Sequence, residues 1–379
     1  MKTFCAYFNQ NICRSCTYLE QTYPDQIQHK ETTLLASLNI SRESLLPTVL
    51  SPEKAFRNKA KFSVTGTLEQ PIIGLTGESD LDQGREILDC PLHLSKINSA
   101  VKDLIPLIQN SKLVPYSIAE RKGELKGIII FYTEATDSMY IRLVVRSKES
   151  IDRIKKYLSD WIQSHPFVKS FSLNIQPQPH AILEGSEEIY LTPESSIQLS
   201  LNQVKMGLSP QGFVQTNQLV ATKLYETAAL WVKDTKAHKF LELFCGQGAF
   251  SFFVGPVVKE CLGVEINPKA IQNAQKTVEH QGLKNLRFIA EDAKNMRSTL
   301  ASFGADVILV NPPRRGLGES LDMIKNSGAA HVIYSSCSHE SLARDLKELE
   351  KSYKIEKAQI FDMFPHTKHF ETLVLLKLQ

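Results

Sequence analysis

A cysteine and a glutamate near the carboxyl end of the chain have the residue types and positions for covalent chemistry. Cys337 follows the predicted strand 331–336 within the segment YSSCS, and Glu371 begins the last predicted strand. Ligands bind at the carboxyl ends of the strands in an open α/β sheet. A thiol there is suited to act as a nucleophile, and a carboxylate on the neighbouring loop is suited to accept a proton. An isolated cysteine more often fills the core, but the flanking serines favour a polar loop position.

A glycine turn and an acidic residue predict a site for a cofactor that contains adenosine. The apolar run 240–244 precedes Gly246 and Gly248, and Glu265 closes the next apolar run. Glycines let the backbone approach a ligand, and a carboxylate at the end of the second strand can accept both ribose hydroxyls. The turn lacks the third glycine of dinucleotide sites, which favours S-adenosylmethionine. A tight turn without a ligand is the alternative.

The segment VNPPRRG at 310–316 offers further groups to a ligand. Its two prolines hold the amide of Asn311 in one pose, so that a hydrogen bond to a ligand costs little further ordering. Arg314 and Arg315 follow directly. They can bind phosphates, or one of them can form a structural salt bridge.

The amino-terminal segment predicts a metal site. Cys5, Cys13 and Cys16 form a C-x7-C-x2-C pattern, and Cys90 lies far downstream, before a proline. Four thiolates can hold an iron–sulfur cluster or a zinc ion, and the spacing does not choose between them. Seven cysteines without a secretion signal argue against a disulfide framework. We interpret the remaining two cysteines, Cys245 and Cys261, as packing residues.

The pattern of elements predicts two domains after an amino-terminal segment. Residues 1–44 hold the cysteines and a helix at 24–38, and the sequence leaves open where they pack. Residues 45–195 mix helices with paired strands, which predicts a compact α+β domain that includes a helix capped by Ser150. In residues 200–379 helices and strands alternate, which predicts a doubly wound α/β sheet whose last two strands pair antiparallel.

Composition and charge place the chain among globular cytoplasmic proteins. Hydrophobic residues make up 42% and charged residues 22% of the 379 residues, and no apolar run is long enough to cross a membrane. The net charge is +3, with positive residues concentrated at 54–61 and 112–156. These stretches can follow a phosphate backbone, although solvated surfaces of strands and helices are an equal alternative. No protein partner is evident from the sequence.

Six ordered motifs give the chain a family resemblance. GFVQTN, LELFCGQGAF, VEINPKAI, VNPPRRG, YSSCS and FPHTKHFE together resemble the RNA uracil-5-methyltransferase family, and CAYFNQNICRSC with DCPL resembles its iron–sulfur branch. The resemblance covers essentially the whole chain. It implies a Rossmann-like class I methyltransferase domain that uses S-adenosylmethionine, preceded by the smaller α+β domain, and a [4Fe-4S] cluster. It is greatest to members that methylate 23S ribosomal RNA, at U747, with transfer RNA as the alternative substrate.

The resemblance also implies roles for individual residues. Cys337 matches the nucleophile that adds to carbon 6 of uracil, and Glu371 matches the base that removes the proton from carbon 5. The residues implied for the cofactor are Gln215, Phe244, Glu265 and Asn311, with Asp292 as a candidate for the adenine edge. The alternative for Asp292 is a helix cap. The cluster ligands implied are Cys5, Cys13, Cys16 and Cys90.

Two departures from the family pattern and two other activities stand beside this reading. Ser338 follows the cysteine where the family often has asparagine, and Asn311 stands where many relatives have aspartate, so that it is not expected to transfer protons. An amino-group methyltransferase would also suit an NPP loop but needs no covalent cysteine. A cluster-bearing RNA-binding protein without turnover is the non-enzymatic alternative.

Overall fold

The computed structural model describes residues 3–77, 81–178 and 184–379, and the chain divides into two compact units. The first comprises Met1–Cys16, Lys54–Ser200 and Leu208–Pro210. The second comprises Thr17–Glu53, Leu201–Gly207 and Gln211–Gln379. The amino-terminal segment is thus shared: the first three cysteines belong to the first unit and the helix after them belongs to the second.

The elements appear in an order close to the predicted one. In chain order they are α1 (Ala6–Asn9), α2 (Tyr23–Leu38), β1 (Leu45–Val49), β2 (Lys59–Gly66), β3 (Pro71–Thr76), β4 (Gly84–Glu86), α3 (Ser95–Asn110), β5 (Leu125–Thr133), β6 (Ser138–Val145), α4 (Ile151–Ser164), β7 (Val168–Ile175), β8 (Glu187–Tyr190), β9 (Ile197–Leu201), β10 (Val204–Leu208), α5 (Gln218–Asp234), β11 (Lys239–Leu243), α6 (Ala249–Val254), β12 (Glu260–Glu265), α7 (Pro268–Gln281), β13 (Leu286–Ala290), α8 (Arg297–Phe303), β14 (Val307–Val310), α9 (Leu321–Lys325), β15 (His331–Ser336), α10 (His339–Leu349), β16 (Tyr353–Phe361) and β17 (Glu371–Leu378).

The first unit is built on a seven-stranded sheet in the order β4-β3-β2-β5-β6-β7-β8. Alternate residues of β5 and β6, such as Ile128, Ile130 and Ile141, share one core with Leu104 of α3 and Ile154 of α4. Side chains two residues apart lie on the same face of a strand, so this face carries the helices. The first unit therefore combines a mostly antiparallel sheet with helices on one face.

One prediction in this unit is wrong. Ser150 does not cap α4: its backbone is already helical, and its side chain accepts no hydrogen bond from the first turn. The hydroxyl instead donates to the buried carboxylate of Glu124, at 3.5 Å. Sequence spacing cannot reveal this partner, which directly precedes β5.

The second unit contains an eight-stranded sheet in the order β1-β16-β17-β15-β14-β11-β12-β13. β11 lies between β12 and β14, so successive crossovers leave it in opposite directions, as a doubly wound sheet requires. β17 runs antiparallel to β15 and β16, and the other pairings are parallel. The predicted α/β fold with an antiparallel final pair is confirmed.

The start of the predicted central domain belongs to this second sheet instead. β1 pairs parallel with β16, and Leu45 lies opposite Ala358. Leu45 is buried in the core of the second unit, which gives the segment an apolar reason to join this sheet. Residues 45–53 therefore belong to the second compact unit, whereas the predicted central domain begins at residue 45.

The reversed direction of β17 decides where its first residue lies. Ser335 pairs with Leu373 and Ser336 with Thr372, so continuing the register sets Cys337 beside Glu371. Because β17 is antiparallel, its start meets the carboxyl ends of the parallel strands.

Among the helices of the described ranges, none is long and apolar enough to cross a membrane.

Candidate active site

A cavity of about 650 Å³ lies at the carboxyl edge of the second sheet. The structure brings into its lining all seven residues predicted here from the sequence: Gln215, Phe244, Glu265, Asp292, Asn311, Cys337 and Glu371. Each follows or ends a different element, and Glu371 begins the reversed strand. One cavity therefore holds both the candidate catalytic pair and the candidate cofactor residues.

Cys337 is half-buried, and its neighbours act on its charge in opposite directions. Burial raises the pKa of the thiol, and the carboxylate of Glu371 raises it further. The guanidinium of Arg314 donates a hydrogen bond to the thiol and lowers its pKa. A hydrogen bond and a positive charge favour the thiolate, which is the nucleophilic form. Arg314 therefore favours the charged form of the thiol, and its Nη2 also lies 3.2 Å from Nδ1 of His369.

Glu371 is placed to hold a proton near neutral pH. Its side chain is 1% exposed, and burial raises the pKa of the carboxyl to about 7. The hydroxyl of Ser335 donates to Oε1 at 2.9 Å and opposes part of that rise. Oε2 has no hydrogen-bond partner within the described parts of the chain. A buried carboxylate oxygen without a partner in the wall of a cavity is free to accept a proton from a ligand.

Glu265 is oriented by the glycine turn opposite it. The amide of Gly246 donates to Oε2 at 3.1 Å, and the amide of Asn267 donates to Oε1 at 2.9 Å. Both donors come from backbone, so the carboxylate keeps one pose while its remaining lone pairs can accept hydroxyls. A Cβ on Gly246 would meet nothing within 4 Å, which leaves that side of the turn open to a ligand.

The turn after β11 follows a backbone path that glycine makes possible. Gly248 has a φ of +82°, and a Cβ there would lie 2.4 Å from the ring of Phe288. Phe244 also has a positive φ, of +59°, which is uncommon for an aromatic residue and turns the chain at the strand end. Apolar Ile266, which is 66% exposed, lines the cavity next to Glu265. A carboxylate for ribose beside an apolar surface for a base fits an adenosine-containing cofactor.

Asp292 performs the capping role that we held as its alternative. Its side chain accepts from the amide of Lys294 at 3.2 Å at the start of a short helical turn. It also lines the cavity, so the cap does not remove it from the site.

The loop after β14 is fixed from outside the cavity by Asp345 of α10. This buried carboxylate accepts from the amide of Leu317 at 2.7 Å and from the hydroxyl of Tyr334 at 2.8 Å. Gly316 passes so close that a Cβ would lie 2.4 Å from the Asp345 carboxylate. The loop that carries Asn311 and Arg314 is thereby tied to both β15 and α10.

Sequence reasoning missed several residues of this site. Ser335 lies within the predicted strand 331–336, and spacing predicts no role for it, but its hydroxyl contacts Glu371. Phe213, within the motif GFVQTN, is 70% exposed and lines the cavity. The alternation of residues in β15 could have shown that Ser335 and Cys337 point the same way.

Comparison with known proteins agrees with this geometry. Residues 194–379 match the family described as tRNA (Uracil-5-)-methyltransferase. The 23S rRNA (uracil(747)-C(5))-methyltransferase RlmC of Actinobacillus pleuropneumoniae serotype 5b is 39% identical, with 98% of each chain covered. The chain belongs to the RNA uracil-5-methyltransferase family. The RlmC of Shewanella loihica is 38% identical, again over 98% of each chain.

The crystal structure of Pyrococcus abyssi tRNA (uracil-54, C5)-methyltransferase in complex with S-adenosyl-L-homocysteine has the same fold. It superposes with a TM-score of 0.81 at 23% identity, over 95% of this chain and 85% of that one. This likeness confirms the α/β methyltransferase fold of the present RNA uracil-5-methyltransferase.

In this RNA uracil-5-methyltransferase, the four amino-terminal cysteines lie in the first unit. The hydroxyl of Tyr7 accepts from the amides of Leu88 and Asp89, at 3.1 and 3.0 Å, and so ties the first helix to the segment before Cys90. Burial raises the pKa of Cys16 to about 12, with further rises from Cys90, Cys13 and Cys5. The charges of the other three thiols therefore act on Cys16. Within the described ranges, however, no three His, Cys, Asp or Glu side chains are arranged to hold a metal ion.

Two basic residues of the stretch 112–156 have partners within the protein. Arg142 is 1% exposed, and its guanidinium pairs with Glu188 and Glu184. Lys126 is buried and donates to a backbone carbonyl. These two are therefore structural residues. Exposed positive side chains of the same stretch are Lys112, Arg121, Lys122, Lys148, Lys155 and Lys156.

Proposed function

We propose that this RNA uracil-5-methyltransferase methylates carbon 5 of a uridine in 23S ribosomal RNA, at the position equivalent to U747, through a covalent bond between Cys337 and carbon 6. The observation that carries the proposal is the pairing of a half-buried thiol with a buried carboxylate in one cavity wall. The names of the full-length relatives support the substrate.

The pair suits the chemistry that a uracil ring needs. Carbon 5 becomes nucleophilic only after a nucleophile adds to carbon 6. The thiolate of Cys337 forms the C–S bond and leaves an enolate, and carbon 5 then takes the methyl group. Glu371 accepts the proton that leaves carbon 5, the C–S bond breaks, and the thiolate departs. Arg314 supports the first step because its hydrogen bond favours the thiolate.

The cofactor residues are assigned on the same basis. S-adenosylmethionine supplies, when bound, a methyl group on a positively charged sulfur. Glu265 would accept the ribose hydroxyls, and Ile266 and Phe244 would border the adenosine. Asn311, Gln215 and Asp292 would complete the polar contacts. The fixed pose of Glu265 limits the ordering that binding must impose.

The target base must leave its stack to reach the cavity, since carbons 5 and 6 of a stacked uracil are covered. Extruding a base costs a few kcal/mol, and single-stranded loops reduce that cost. The exposed ring of Phe213 at the cavity offers a surface on which an extruded base can stack. The exposed basic side chains of the first unit would neutralise RNA phosphates.

We further propose that Cys5, Cys13, Cys16 and Cys90 ligate a [4Fe-4S] cluster. Four cysteines of the first unit, three of which raise the pKa of Cys16, are a donor set suited to iron, because four thiolates hold such a cluster. The cluster has no part in the methyl-transfer steps described above.

The covalent route predicts that Cys337→Ala abolishes methyl transfer. Labelled S-adenosylmethionine and unmodified 23S fragments serve as substrates, and RNA containing 5-fluorouridine traps the adduct because fluorine blocks loss from carbon 5. Wild-type protein should give a denaturant-resistant protein–RNA species, and the variant should give none. Cys261→Ala, which removes a buried thiol outside the cavity, is the matched control and should retain both activities. Methyl incorporation by Cys337→Ala would reject the covalent route.

The substrate is tested in the same assay with transfer RNA. Mapping of 5-methyluridine should find the modification in the 23S fragment that contains the 747 loop. Methylation of transfer RNA alone would overturn the proposed substrate and leave the chemistry intact.

A further inference from the structure

The segment 362–370, which connects β16 to β17, is held by helix α2 through a buried ion pair. Lys30 Nζ lies 2.5 Å from an oxygen of Asp362, and the two side chains are 1% and 0% exposed. The same ammonium donates to the carbonyl of Phe364 at 3.2 Å. The hydroxyl of Tyr23 donates to the second Asp362 oxygen at 2.7 Å. The first half of the connecting segment is thus fixed by two side chains of one helix.

A second set of contacts fixes the middle of the segment at His366. The backbone amide of His366 donates to Oε1 of Gln26 at 2.8 Å, and Nε2 of Gln26 lies 3.3 Å from the imidazole Nδ1. The other ring nitrogen lies 2.8 Å from the carbonyl of Glu53. His366 has a φ of +66°, which costs a histidine free energy unless its surroundings hold it there. Gln26 therefore contacts both the backbone and the ring of His366.

The segment held in this way leads directly to the catalytic groups. Its last residue directly precedes Glu371, and Phe364 lines the cavity. A shift of the segment would therefore move the carboxylate of Glu371 relative to the ring it must deprotonate.

The buried ion pair between Lys30 and Asp362 indicates a positioning role rather than a stabilising one. A buried pair seldom adds net stability over apolar side chains of similar volume, because desolvation offsets the attraction. Apolar residues would suffice to attach α2 to the sheet, but they would not fix a backbone carbonyl and a carboxylate at set distances.

We propose that Lys30, Gln26 and Tyr23 of α2 are positioning residues for proton abstraction, acting through the segment 362–370 to set Glu371. The proposal rests on the covalent route proposed above. It assigns the amino-terminal helix to the second half of the reaction, in which the proton leaves carbon 5 and the C–S bond breaks, and not to the addition of Cys337.

The test uses unmodified uridine RNA and measures separately the formation of the adduct with Cys337 and the release of the methylated product. Lys30→Met combined with Asp362→Asn removes both charges together, so no buried charge is left unpaired, and Gln26→Leu removes the second contact without changing charge. Glu31→Gln is the matched control, because Glu31 lies on the same helix but bonds to Thr48 and Arg42 rather than to the segment. Rapid quenching in denaturant gives the protein–RNA adduct and the released product at each time.

We expect adduct formation to stay within about twofold of wild type in the altered proteins, while release slows by roughly tenfold to a hundredfold, as misplacement of a reacting group by about 1 Å can cause. Methylated adduct should then accumulate. Glu31→Gln should behave as wild type. Thermal melting reports the folded fraction.

Equal loss in both halves, or release at the wild-type rate, would overturn the inference. Failure of both altered proteins to fold would also count against it, since the contacts would then serve folding. Absence of any adduct in the wild-type protein would instead reject the covalent route itself, so the two failures are distinguishable.

Discussion

At the scale of single residues, the site holds two neighbouring acidic groups, Glu371 and Cys337, whose pKa values are both raised. Burial is the first cause in both: it raises the pKa of Glu371 to about 7 and raises that of Cys337, to which the neighbouring carboxylate adds. Two hydrogen bonds act in the other direction, from Ser335 on the carboxylate and from Arg314 on the thiol. Each acid thus has its own neighbour that favours the charged form.

The first residue-scale prediction concerns the pH dependence of product release. Glu371 accepts a proton only when ionised, and its pKa is raised to about 7, so release should slow as the pH falls below 7. Ser335→Ala removes a hydrogen bond that favours the carboxylate and should move the midpoint to higher pH. Single-turnover rates across pH measure this. Ser336→Ala, whose hydroxyl bonds to Ser338, should leave the midpoint unchanged. A midpoint unaffected by Ser335→Ala would contradict the assignment of the base.

The second residue-scale prediction concerns formation of the covalent adduct between Cys337 and RNA. Arg314→Met removes the hydrogen bond to the thiol, and a hydrogen bond to a charged group contributes about 1.5 kcal/mol, so adduct formation near pH 7 should fall by about tenfold. The rate should recover at higher pH, where the thiol ionises unaided. Arg315→Met is the matched control, because it removes an adjacent charge without that hydrogen bond. A loss in Arg314→Met that persists at high pH would show that the arginine serves RNA binding instead.

The residues at strand ends were predictable, and their neighbours were not. Cys337, Glu265 and Asn311 were found because parallel strands end at a common edge. Ser335 and Arg314 contact the catalytic pair through the strand register and the path of the loop, neither of which leaves a signature in spacing.

At the scale of elements, two parts of the cavity wall are held by hydrogen bonds to neighbouring structure. Asp345 of α10 holds the loop after β14, and backbone amides hold Glu265 at the end of β12. Fixed loops lower the ordering cost of binding.

Gly316→Ala should therefore destabilise the protein more than Gly318→Ala. Both glycines have a positive φ, but only Gly316 would bring a Cβ within 2.4 Å of the Asp345 carboxylate, whereas Gly318 has open space. Strain alone costs about 1 kcal/mol, and strain with a clash should cost about 3 kcal/mol. Urea unfolding measures the difference in free energy. Equal losses would mean that the loop moves to accept the methyl group at no cost.

Most helices and strands were predictable from the spacing of hydrophobic residues, and the exceptions have physical reasons. The alternation after residue 211 predicted the parallel sheet, and Leu34 and its neighbours predicted α2. The partner of β1 was not predictable, because LLPTV carries an apolar pattern that fits either sheet and the choice depends on an edge more than 300 residues away in sequence.

At the scale of the whole molecule, the four thiols and the reaction site lie in different compact units. Purified without oxygen, the protein should contain iron and sulfide in the ratio of a [4Fe-4S] cluster and absorb visible light. Serine at Cys5, Cys13, Cys16 or Cys90 should lower the iron content, because a thiolate ligand is lost. Cys245→Ser, at a buried thiol outside this group, is the control. Zinc in place of iron would contradict the cluster and leave the four-thiol site standing.

The outer strand of the second sheet has one more consequence. β1 is the edge strand beyond β16, and it contains Pro47, whose nitrogen carries no hydrogen. The proline carbonyl accepts from the side chain of Gln359 on the neighbouring strand β16, at 2.8 Å. A proline in an edge strand offers one backbone donor fewer, which disfavours the intermolecular pairing that leads to aggregation.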